Sequence, residues 1–179
     1  MRWMWIDRVI ELVPGERMVA LKSITSAEEH LHDHFAADPE RGLPSLPIVP
    51  ASLVIEGMAQ TAGVLVGHAG GFREKVVLAK VARAEFLMDA TPGYTLRFTA
   101  RIERYDETGA STSGVVDIVD ASFSALPEPA ELARIDLMFS HVDRNRAGAS
   151  FPEQNFVFTG DGPLMTLLRM SGIEVEIED

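Results

Sequence analysis

Two residues have the types and the setting for proton-transfer chemistry: His34, in a loop, and Glu56, in a segment that reads as a helix. That segment, Ala51-Ser52-Leu53-Val54-Ile55-Glu56-Gly57-Met58-Ala59-Gln60, is apolar on nearly every side yet carries a carboxylate. Burying an ionised carboxylate is costly unless it is paired, and the group tends to shift its pKa instead. A carboxylic acid kept protonated near neutral pH, with an imidazole nearby, is the equipment for general acid–base chemistry. Ser52, Glu56 and Gln60 are spaced four apart and share one helical stripe. A second reading stays open: Glu56 could serve structure alone, pairing with a basic residue or capping a neighbouring backbone group. On an extended segment His30, His32 and His34 would share a face, as metal ligands do. Without cysteine or a matched acidic partner that pattern is weak, and no metal is expected. His68 and His141 have no comparable context and read as structural or exposed.

The positioning elements follow from periodicity and turn signals. Arg8 to Val13 and Arg17 to Ile24 are β-rich runs split by Pro14-Gly15-Glu16, a hairpin signature. A loop rich in Asp, Pro and Gly runs from about Ser26 to Pro50. The long helix is expected to begin near Pro50, since proline suits the first helical turn, and to reach about His68 before Gly70-Gly71. Strands are expected over Val76 to Leu87, Tyr94 to Tyr105, Gly114 to Ala125 and Ala133 to Val142. Leu96, Phe98, Ala100 and Ile102 alternate with Arg97, Thr99, Arg101 and Glu103, which gives the second of these one buried and one wet face. The order is ββ-α-ββββ. It predicts an α+β domain with an antiparallel sheet of about six strands wrapped around one long central helix. Residues 1–142 form this domain, and residues 143–179 are an extension without an assigned task. Within the extension Leu164 to Met170 reads as a short amphipathic helix ended at Gly172.

The bulk composition bounds the function. The chain has 179 residues, enough for one domain with a sizeable core, and its 46% hydrophobic and 24% charged residues are ordinary for a globular protein. There is no cysteine, so disulfides, thiolate ligands and a cysteine nucleophile are excluded. A net charge of −11 argues against nucleic acid or an anionic membrane as a partner. No apolar run reaches the roughly 18 residues that a membrane-spanning helix needs. Met1 to Asp7 lacks a signal-peptide pattern, so a cytoplasmic location is expected. Against the acidic total, Arg73, Lys75, Lys80 and Arg83 lie close together, a group that could meet an acidic partner or simply be a solvated face.

The chain resembles the hot-dog-fold β-hydroxyacyl-acyl-carrier-protein dehydratases of the FabZ/FabA group. Ile6-Asp7-Arg8-Val9-Ile10-Glu11, Pro14-Gly15 and Val19-Ala20-Leu21-Lys22 look like that family's first hairpin. His34-Phe35 looks like its histidine motif. Ile48-Val49-Pro50-Ala51 followed by Glu56-Gly57-Met58-Ala59-Gln60 is similar to its helix-start and carboxylate segment, and the resemblance runs over roughly residues 5–142. It implies a homodimer, or a trimer of such dimers, whose sites take histidine from one subunit and carboxylate from the other. His34 would abstract the α-proton of a 3-hydroxyacyl thioester and Glu56 would protonate the departing hydroxyl. The Ala51 N–H would bind the thioester oxygen, and Phe35, Pro50, Ser52 and Gln60 would contact substrate. Arg73, Lys75, Lys80 and Arg83 would meet an acyl carrier protein, with a CoA thioester as the other substrate form. No metal or redox cofactor is implied.

The chain departs from the family pattern in places. Ala51 stands where the family has glycine, and Ala36-Ala37 replace its Pro-Gly. The segment around Asp38-Pro39-Glu40-Arg41-Gly42 is longer than usual, so the gap from His34 to Glu56 is 22 positions. Two further functions share the same scaffold: an acyl thioesterase that uses Glu56 to position water, and a non-catalytic protein that binds acyl carriers.

Overall fold

The computed structural model describes residues 4–33, 36–73, 75–120, 129–141 and 162–173. Strands β1 (Arg8–Val13) and β2 (Arg17–Ser23) form the expected hairpin. Gly15 takes a left-handed φ of 69° in its turn, and the Glu16 N–H closes it onto the Val13 carbonyl at 3.1 Å. A short helix α1 (His30–Asp33) follows. Helix α2 (Ala51–Ala69) is 19 residues long, with Pro50 as its N-cap and Gly70 as its C-cap. Strands β3 (Val76–Phe86), β4 (Thr95–Asp106), β5 (Gly109–Asp120), β6 (Ala130–His141) and helix α3 (Pro163–Met170) complete the order.

All six strands join one antiparallel sheet in the order β1-β2-β4-β5-β6-β3. Helix α2 lies against one face and touches β2 through β6. Its buried residues Val54, Met58, Ala62, Leu65 and Val66 meet Met18 and Ala20 of β2, Leu96 and Phe98 of β4, and Ile118 and Ile135 beyond in one apolar cluster. Each large side chain sealed there contributes about 1.5–3 kcal/mol over leaving it exposed. Two glycines let helix and sheet approach. A Cβ on Gly57 would sit 2.4 Å from Phe98 Cζ and 2.9 Å from Trp5 Cδ1. One on Gly114 would sit 2.4 Å from the Met58 sulfur.

Three expectations need correction. Helix α1 is a helical turn within the expected loop, whereas a shared histidine face would need an extended segment. Backbone positions 30 and 32 therefore lie roughly 200° apart around an axis and do not share a face. Strand β5 begins at Gly109, five positions before the expected Gly114. The run Gly109 to Ser113 is small and polar and reads as loop. It is strand because the Asp106 carboxylate accepts the Thr108 N–H at 2.8 Å and turns the chain straight back onto β4. The expected end of that strand at Ala125, and Val142 at the end of the last, lie outside the described residues. Strand β6 begins at Ala130, three residues before the expected Ala133, because it pairs with Ile118 of β5.

Both sheet edges are distinctive. Edge strand β1 is met by α3, where the Val9 N–H donates to Ser171 Oγ at 3.1 Å. Leu164, Met165 and Leu168 of α3 belong to the same buried cluster as α2. The other edge, β3, is exposed along nearly its whole length, including Val77, Leu78 and Val81. Among the described residues, no helix is long and apolar enough to cross a membrane.

Gly57→Ala gains about 1 kcal/mol of helix propensity. It still forces a methyl into Phe98, which is wholly buried and has no room to retreat. A net loss of about 1–3 kcal/mol in urea unfolding is expected, partly recovered by adding Phe98→Leu. Half-buried His68, in the last turn of α2, has its pKa lowered from the ordinary 6.5 by desolvation. The folded state thus resists its protonation, so stability present above pH 6.5 declines as the pH falls below it. Replacing it, as in His68→Gln, should make the unfolding midpoint depend less on pH between about 7.5 and 5.5 than in the unsubstituted protein.

Candidate active site

The site is built around the first turns of α2. Proline suits the helix start because its missing N–H is not needed there, and the Pro50 carbonyl accepts the first bond, from Leu53 N–H at 2.9 Å. The Ala51 and Ser52 amides precede that bond, so helix geometry gives them no intrahelical acceptor. Both residues are exposed, so this end of the helix opens outward. Beside it lies a cavity of about 240 Å³. Pro50, Ala51 and Val54 form one wall, and Phe86, Met88 and Leu132 the other. The Val49 N–H bonds the Ala90 carbonyl at 2.8 Å and holds these walls together. The lining is apolar apart from Asp89. An apolar hollow at a helix N-terminus can take a hydrocarbon group and stabilise an oxygen that gathers negative charge.

Glu56 lies around the helix from that cavity and is not among its walls. It is half-buried rather than sealed, which corrects the expectation of a fully buried carboxylate. The stripe predicted from spacing does form. Gln60 Nε2 donates to Glu56 Oε1 at 2.8 Å. Gln60 Oε1 accepts from the Trp5 N–H at 2.9 Å and the Ile6 N–H at 3.3 Å. Two backbone donors on one oxygen leave the amide nitrogen facing Glu56, so the carboxylate is held through Gln60 by a segment that lies 55 positions from that amide in sequence.

His34 and Phe35 lie outside the described residues; the described chain ends at Asp33, the last residue of α1, and resumes at Ala36. The structure brings Pro50 and Ala51 to the cavity, and Glu56 and Gln60 to each other. It does not gather the basic residues. Arg73 follows α2 and bonds the Gly70 carbonyl at 3.3 Å. Lys75 directly precedes β3, and Lys80 is exposed within it. Arg83 pairs with Glu85. An extended strand advances about 3.3 Å per residue, so Lys75 and Arg83 are some 25 Å apart. Phe86, at the far end of β3 from Lys75, is the end that lines the cavity. Among the described residues, no cluster of His, Asp and Glu could hold a metal ion.

Sequence reasoning missed the Trp5 and Ile6 amides and the wall made by Phe86, Met88 and Leu132. The one available signal was Gln60, four positions after Glu56; nothing local marks Trp5 as its partner.

Comparison with known proteins adds four findings. Residues 2–123 match the FabA-like domain family. A protein of Granulibacter bethesdensis named 3-hydroxyacyl-acyl-carrier-protein dehydratase FabZ is 35% identical over 142 residues, covering 72% of this chain and 77% of the relative. Among solved structures, a dehydratase heterocomplex from Xenorhabdus doucetiae has a similar fold, with TM-score 0.56 and 17% identity over 77% of this chain and 82% of that one. An acyl-CoA hydrolase mutant from Staphylococcus aureus is similar too, with TM-score 0.53 and 14% identity over 71% and 66% of the two chains. These two likenesses bear on fold alone.

Replacing Gln60 by leucine strips the Trp5 and Ile6 amides of their acceptor and Glu56 of its donor. Equilibrium urea unfolding of Gln60→Leu should show a loss of about 1–3 kcal/mol, the cost of stranding buried polar groups. A loss near zero would mean that water replaces the amide without penalty.

Proposed function

We infer the reaction of this chain from its membership: it belongs to the FabA-like family. It dehydrates 3-hydroxyacyl thioesters to trans-2-enoyl thioesters in fatty acid biosynthesis and is a hydro-lyase on a hot-dog fold. The single observation that carries this reading is the family match over residues 2–123, which takes in both the His34 loop and the Glu56 stripe.

The residues fit elimination of water as follows. His34 imidazole accepts the C2 proton, and the electron pair of that C–H bond becomes the C2–C3 π bond. The C3–O bond breaks, and the hydroxyl leaves as water with a proton from the Glu56 carboxyl. During the transfer the thioester oxygen gains negative charge. The Ala51 N–H, at the positive end of α2, is the donor suited to that oxygen, and it lies on the cavity wall. Proton exchange returns both side chains to their starting states. Phe35, Pro50 and Ser52 contact the thioester, and the acyl chain enters the apolar hollow by Val54, Phe86 and Leu132. Gln60, assigned a substrate contact by resemblance, has its amide engaged within the chain, which supports a holding role for Glu56 instead. No step needs a metal or redox cofactor.

The working unit is a homodimer, with His34 of one protomer opposite Glu56 of its partner. The exposed edge of β3 supports this, since Val77, Leu78 and Val81 lie bare on an edge strand, paired with β6 on one side alone, that a second copy would cover. The carrier is an acyl carrier protein or CoA, met by the basic side chains at positions 73, 75, 80 and 83, and the enzyme acts in the cytoplasm. Residues 1–142 are the catalytic domain, and helix α3 of the extension packs at its β1 edge.

A purified sample given a 3-hydroxyacyl thioester should form the enoyl thioester without releasing thiol. His34→Ala and Glu56→Gln should each slow this roughly 10²–10⁴-fold, the usual contribution of a proton-transfer group. Steady thiol release that survives His34→Ala, with no enoyl product, would overturn the dehydratase assignment in favour of a hydrolase.

A further inference from the structure

We propose that Lys22 is a positioning residue for Glu56, acting through Trp5 and Gln60; the inference rests on the dehydratase reading above. In strand β2, Met18, Ala20 and Lys22 alternate onto the sheet face that carries the core. The first two are completely buried, and Lys22 is only 9% exposed. A lysine at a core-facing position is expensive unless its charge is matched. Here it is matched on three sides. Its Nζ lies 3.0 Å from Glu28 Oε1, 3.2 Å from Asp7 Oδ1, and 4.8 Å from the centroid of the Trp5 ring. His30 joins the same group, with Nε2 3.5 Å from Glu28 Oε2 and its ring edge-on to Trp5 at 5.3 Å.

A buried ion pair adds little net stability compared with an apolar side chain of the same size. It does fix where its partners sit. What Lys22 fixes is the segment Trp5-Ile6-Asp7. Asp7 is pinned beside it by the Lys22 ammonium and by the Ser23 N–H at 2.8 Å. The Asp7 N–H bonds the Leu21 carbonyl at 2.8 Å. Trp5, 4% exposed, is clamped between the Lys22 ammonium and Gly57 of α2. Its backbone N–H and that of Ile6 then hold the oxygen of Gln60, and the Gln60 nitrogen holds Glu56. The ammonium thus sets the donors that set the amide that sets the carboxylate. Lys22 needs no contact with substrate, so its loss should act on turnover and leave substrate binding almost alone.

The test compares Lys22→Met, which keeps length without charge, with Lys22→Arg, in the full-length protein. For Lys22→Met we expect kcat per folded molecule to fall about tenfold with KM within twofold, and Lys22→Arg to recover to within about threefold. In a Gln60→Ala background the further loss from Lys22→Met should shrink to less than twofold, because the path is already broken. Hydrogen exchange gives a readout independent of turnover: the Trp5 and Ile6 amides should exchange at least tenfold faster in Lys22→Met. If Lys22→Met does not fold, Trp5→Leu, which keeps the backbone donor but removes the ring, should give the same kcat loss and the same loosened exchange at residue 5. An unchanged kcat per folded molecule, or a loss undiminished by Gln60→Ala, overturns the proposal while leaving the dehydratase reading intact. An unsubstituted protein that turns over no 3-hydroxyacyl thioester overturns that reading and the catalytic role with it, and faster exchange in that case would preserve only the structural linkage.

Discussion

One amide group ties the candidate chemistry to the fold. Gln60 faces two backbone N–H groups, and only its oxygen can accept them. That choice leaves its nitrogen no freedom about where to point, and it points at Glu56. The polarity of a single side chain therefore couples the segment before β1, the middle of α2 and the carboxylate. A hydrogen bond of this kind is worth little in net stability, because water would serve each group nearly as well in the unfolded chain. Its value lies in direction: a carboxylate held at one oxygen presents the other in a defined way.

That amide works only because helix and sheet are pressed together. Gly57 lets Phe98 and Trp5 reach the helix backbone, and Gly114 lets Met58 lie on the sheet. Side chains at either position would lift α2 and carry Gln60 away from the Trp5 and Ile6 amides. The packing that stabilises the core is thus the same packing that sets the site. This is why glycine is used in the middle of a helix, where its propensity cost is about 1 kcal/mol.

The charges divide the molecule by task. The cavity at the start of α2 is apolar, with Asp89 as its charged member, while Lys75, Lys80 and Arg83 are spread along the length of β3, Arg83 paired with Glu85. An apolar hollow next to a helix N-terminus suits the uncharged acyl part of a thioester. Cations spread along a strand act at long range on an approaching anionic surface, an attraction that salt would screen. The buried Lys22, in contrast, faces inward and is matched by Asp7 and Glu28, so it adds nothing to that outer field.

Much of this was legible in the residues alone. Proline at 50 and glycines at 70 and 71 bound α2 to within a residue, since helix ends depend on backbone chemistry within one turn. The alternation of Leu96, Phe98 and Ala100 marked the buried face of β4, and the four-residue spacing of Ser52, Glu56 and Gln60 placed them on one stripe. Local rules misread Gly109 to Ser113, whose strand state comes from pairing with β4 and β6, and His30 to Asp33, whose composition does not announce a helix. Only the folded chain could decide that Gln60 reaches Trp5, that Lys22 turns inward, that the basic residues spread out instead of clustering, and that β3 is left at an edge. These depend on which distant segments pack together. Periodicity tells a side chain which face to take, but the partner waiting on that face is chosen by the burial of the whole core.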